Sequence, residues 1–114
     1  MFSITLLSVG KNKEKFYQTA VEEYAKRLGA YCNFRMIELA ETRLPEHPNA
    51  AEIAAGLSKE AALIRGSIPK GAWFCVLTPE GTELSSEAFA EKLHHIKLEG
   101  KSAACFLIGS SFGI

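Results

Sequence analysis

Residues 72–93 read AWFCVLTPEGTELSSEAFAEKL, and they contain a change of period. The first six are apolar without interruption, as in a strand covered on both sheet faces. Pro79 at the second and Gly81 at the fourth position of a turn suit type I geometry. Ser85 can then accept from the free N–H groups of a helix start, with Glu87 favourable against the dipole. Phe89, Leu93 and Ile96 recur at helical spacing, and Gly100 closes the run. The stretch is thus a strand, a tight loop and a helix in succession.

The same unit recurs on either side. Residues 2–9, FSITLLSV, form a β-branched and apolar strand, followed by Gly10, at which the chain can turn. Asn12 can cap the next helix, whose apolar positions Phe16, Ala20, Val21, Tyr24, Leu28 and Tyr31 predict an amphipathic element of about five turns. FRMIELA at 34–40 is a second strand, and the two prolines in ETRLPEHPN at 41–49 exclude regular structure. Asn49 opens an alanine-rich helix with Ile53, Leu57, Ala61 and Ile64 on one face, expected to run to about Arg65 before Gly66 and Pro69. AACFLI at 103–108 is the fourth strand. The order βαβαβαβ predicts an α/β fold, a parallel sheet with right-handed crossovers and helices on both faces.

Composition narrows the function classes. A chain of 114 residues with 47% hydrophobic content can build one compact core, so residues 1–114 are expected to form a single α/β domain. Thirteen acidic and thirteen basic residues balance, which leaves no global field for nucleic acid and throws any such contact onto local patches. The start of the chain has no basic leader and no apolar run near the roughly 18 residues of a membrane span, so a soluble, cytoplasmic protein is expected. Cys32, Cys75 and Cys105 are far apart and lack a CxxC pair, and adjacent His94 and His95 diverge on a helix, so no metal site is expected. Cys75 and Cys105 read as small hydrophobes inside strands.

In open parallel sheets, ligands bind beyond the carboxyl ends of the strands. Three loops occupy that position: GKNK at 10–13, TPEGTE at 78–83 and GSSFG at 109–113. None is a dinucleotide or Walker fingerprint, and the residues alone indicate a small-molecule or nucleotide site without naming a reaction.

A family resemblance supplies the reaction. SVGKNKEKFYQTAVEEYAKRLGAYC at 8–32, LTPEGTELSSEAFAEKL at 77–93 and FLIGSSFG at 106–113, in this order and spacing, resemble the RlmH family of the knotted SPOUT methyltransferase superfamily. The resemblance covers essentially the whole chain. It implies a SPOUT-type α/β knot, S-adenosylmethionine as cofactor, and methylation of N3 of a pseudouridine in large-subunit ribosomal RNA by a homodimer. Family members continue past the position of Ile114, so the C-terminal knot segment, with most of the dimer-forming helix, is expected to be missing from this chain. The alternative reading is a non-catalytic domain that binds a nucleotide-like ligand or pairs through its open edge.

The resemblance carries over to few residues. It places Leu77 and Thr78, with Gly81 shaping their turn, beside the cofactor. It does the same for Gly109, Ser110 and Gly113 in the loop after the fourth strand. Ser110 stands where the family usually has glycine, and its hydroxymethyl group would either narrow the pocket or add a hydrogen bond. Gly109 and Gly113 also fit an ordinary tight turn, and Leu77 an ordinary core position. No residue present is a convincing general base, so the catalytic residues are unassigned. Lys11, Lys13 and Lys15 crowd a helix start where the dipole disfavours them; RNA phosphates or simple solvation would each account for them.

Overall fold

The computed structural model describes residues 1–10 and 15–109. Its elements are β1 (Ser3–Val9), α1 (Lys15–Leu28), β2 (Asn33–Leu39), α2 (Ala50–Ser67), β3 (Trp73–Leu77), α3 (Ser86–Leu98) and β4 (Ala103–Ile108). The four strands form one parallel sheet in the order β2-β1-β4-β3. The expected α/β architecture is therefore present, with each predicted element in its place.

Register builds two faces. Leu7 aligns with Ile37 on one side and Leu107 on the other, and Val9 with Leu39. These side chains and Cys105 pack against Ile64, Ile68 and Ala72 from α2 and the segment after it. On the opposite face Phe106 meets Phe89 of α3 at 5.6 Å between ring centroids, and Trp73 edge-on at 6.0 Å. Helices α2 and α3 thus cover opposite faces. The steps β1 to β2 and β3 to β4 run in the same direction across the sheet, so right-handed crossovers put α1 on the α3 side.

Local signals set the helix ends. Asn49 forms a complete capping box: its Oδ1 accepts from Glu52 N–H at 2.8 Å, and the Glu52 carboxylate accepts from Asn49 N–H at 3.1 Å. Helix α2 continues past the expected stop, through Gly66 to Ser67, because Ile68 N–H still reaches the Ile64 carbonyl. Pro69 ends it. Ser85 caps α3 as expected, its Oγ accepting from Ala88 N–H at 3.0 Å. Gly100 follows with φ +93°, a conformation that favours glycine.

Two packing expectations are corrected. β3 is an edge strand, and Phe74 and Val76 remain 38% exposed, so the strand is not covered on both faces. The cover given by α2 lies over β1, β2 and β4, which leaves the same face of β3 bare. Helix α1 buries none of its residues. Its stripe is present, yet Phe16 and Tyr24 are about two-thirds exposed, and Tyr31 lies in the turn beyond the helix end at Leu28. A periodic stripe marks an apolar face without specifying what packs on it. The expected cap at Asn12 lies outside the described residues.

Candidate functional site at the carboxyl edge of the sheet

The site begins where β3 ends. Gly81 N–H donates to the Thr78 carbonyl at 3.1 Å, closing the turn in which Pro79 presets the second position. A Cβ on residue 81 would lie 3.3 Å from that carbonyl, so glycine permits the tight return. Four residues later Ser85 caps α3, whose N-terminal end carries partial positive charge. Strand end, turn and helix start enclose an open cavity of about 480 Å³.

Its walls divide by chemistry. Trp73, Leu77, Leu84 and Phe89 contribute apolar surface, while Thr78, Thr82, Ser85 and Ser86 contribute hydroxyl-bearing residues along the loop and helix start. Cys75 also lines it. Among the described lining residues there is no histidine, carboxylate or lysine. The arrangement can hold a flat apolar group and meet polar atoms at its edge; it offers no obvious proton acceptor.

The sequence-based candidates fall into three groups. Leu77, Thr78 and Gly81 are brought together on the cavity. Leu77 is 46% exposed, so its reading as an ordinary core residue is set aside. Gly109 directly follows Ile108, the register partner of Leu77, and so stands at the carboxyl end of the neighbouring strand. Lys15 is the exposed first residue of α1, in a first turn that has no acidic residue. Lys11, Lys13, Ser110 and Gly113 lie outside the described residues.

The apolar wall was not foreseen. Leu84 directly precedes the cap Ser85, and Phe89 is the fourth residue of α3: these are the two positions of a hydrophobic staple. That spacing was the available signal, since a leucine in an otherwise polar loop has few local reasons to be there.

Elsewhere, no group of three or more His, Cys, Asp or Glu could hold a metal ion among the described residues. No helix among them is long and apolar enough to cross a membrane.

A parallel α/β sheet with its crevice beyond the strand ends, flanked by a helix N-terminus, is the class of domain that binds nucleotide-like ligands. Comparison with known proteins makes this specific. The family described as "Predicted SPOUT methyltransferase" matches residues 2–114. The chain is similar to the putative ribosomal RNA large subunit methyltransferase H of Methanococcus maripaludis, with 38% identity over 98% of this chain and 70% of that protein. The ribosomal RNA large subunit methyltransferases H of Limosilactobacillus reuteri and Clostridium botulinum share 37% and 36% identity over the same fractions. The chain belongs to the RlmH family of SPOUT methyltransferases, and it spans 70% of the length of these relatives.

Proposed function

We propose that this protein is an S-adenosylmethionine-dependent methyltransferase acting on N3 of a pseudouridine in large-subunit ribosomal RNA, in the cytoplasm and as a homodimer. The observation that carries the reading is the cavity at Leu77 and Thr78, at the carboxyl edge where a domain of this family would receive its cofactor. Its volume lies within the usual range for such ligands, its apolar walls suit an adenine ring, and its hydroxyls and helix start suit the polar amino-acid end. The residues present therefore fit the cofactor, which when bound supplies an electrophilic methyl group.

The chain's own contribution is orientation. Leu77, Thr78 and Gly109 would hold the cofactor by backbone contacts, and the family resemblance adds Ser110 and Gly113 to the cofactor-binding set. Trp73, Leu84 and Phe89 would exclude water from its base. Lys11, Lys13 and Lys15 would meet RNA phosphates. Holding the reacting nitrogen in line is the main requirement of such a transfer. The second reading is a non-catalytic domain that binds a nucleotide-like ligand without turnover.

Calorimetric titration of S-adenosylmethionine separates the possibilities. We expect saturable binding to the 114-residue chain, weakened about tenfold by Phe89→Ala, equivalent to ~1.4 kcal/mol of lost aromatic contact. Absence of binding would overturn the cofactor assignment. Binding without incorporation of labelled methyl into unmodified ribosomal RNA would select the second reading.

A further inference from the structure

The loop between β2 and α2 is tied down more firmly than a connection requires. Thr42 N–H donates to Oε2 of Glu60 at 2.8 Å, and the Thr42 hydroxyl donates to the Gly56 carbonyl at 3.3 Å. Leu44 lies against α2 where residue 56 has no side chain; a Cβ there would sit 3.2 Å from Leu44 Cδ2. Glu60 is only 5% exposed. Desolvating a carboxylate is costly, and here one such group anchors a loop amide.

Arg43 sits between the anchors Thr42 and Leu44. It is exposed, and it makes no ion pair or side-chain hydrogen bond among the described residues. The loop around it borders an open hollow of about 420 Å³. Its planar fork of donors suits a phosphate, and its backbone has been fixed in advance. The loop follows β2 at the same carboxyl edge of the sheet that bears Gly109 and Thr78, and it is held on the α2 side of that edge.

We propose that Arg43 is a positioned contact for the phosphate backbone of the RNA strand, a role that rests on the reading of RNA as substrate. Glu41 and Glu46 share the rim of the hollow, so the loop has no strong positive field with which to gather RNA from solution. Arg43 therefore fixes the register of a strand already docked and has no part in cofactor binding.

The test is fluorescence anisotropy of a labelled RNA hairpin with pseudouridine in its loop, read across a potassium chloride series. Wild type is compared with Arg43→Gln and with Lys59→Gln, which removes one charge from the exposed side of α2. Removal of one phosphate contact should lower the slope of log K against log salt by about 0.7 in Arg43→Gln. The slope of Lys59→Gln and the calorimetric S-adenosylmethionine affinity of both variants should match wild type. Equal slopes in Arg43→Gln and wild type would overturn the Arg43 assignment while leaving the RNA reading in place. Wild type that binds S-adenosylmethionine but no hairpin at any salt would overturn both.

Discussion

Cys105, Cys32 and Cys75 carry one functional group in three settings. Cys105 is fully buried between β1 and β3, and burial raises its thiol above the ordinary value; Arg35 acts in the opposite direction but more weakly. Cys32 is buried after α1, its Sγ 3.6 Å from the Leu28 carbonyl. Cys75 faces the candidate cavity and is partly accessible. A thiol reagent should therefore modify Cys75 in the native protein and the other two only in denaturant, as mass mapping would show; rapid native labelling of Cys105 would contradict this core. The Cys105 contribution also has a sign. Its folded value is raised, so the stability it supports is present below the unfolded thiol value of about 8.5 and is lost as pH rises through the folded one. The urea midpoint should fall above that pH, and less steeply in Cys105→Val.

At the scale of elements, capping and packing do separate work. Ser85 satisfies one orphan amide of α3 and also lines the cavity, so its removal should affect both stability and site. Ser85→Ala should lose about 1 kcal/mol in urea unfolding, and Ser85→Asp should recover most of it. Equal stability of all three would mean that α3 is held by Ile96 and the Phe89–Phe106 contact alone. The caps at Asn49 and Ser85 were legible because a cap is a contact within a few residues of chain. The exposure of Phe16 and Tyr24 on α1 was not, because their spacing is the same whether or not something covers them.

At the scale of the whole molecule, two stretches of open apolar surface lie apart from the candidate cavity among the described residues. Phe74 and Val76 lie open on the α2 side of β3, and Phe16, Tyr17 and Tyr24 on α1. β3 is also a sheet edge with unpaired backbone groups. Such surfaces promote association, so sedimentation velocity should show the 114-residue chain shifting to larger species with concentration. Phe74→Lys should reduce that shift. A concentration-independent monomer with a sharp, cooperative unfolding transition would count against the expectation. The candidate site also belongs to this scale: Leu77 and Gly109 are 32 residues apart in the chain and become neighbours only through the pairing of Leu77 with Ile108.

The sequence by itself determined the type, order and most boundaries of the seven elements, since period, caps and breakers act over a few residues. It also carried the family, through motifs local to 8–32, 77–93 and 106–113. Only the tertiary structure decided that β4 lies between β1 and β3, that β3 is an edge, and that Glu60 is buried to hold Thr42. Strand order and burial depend on which surfaces meet after the chain has folded back on itself. A local pattern constrains that choice without making it.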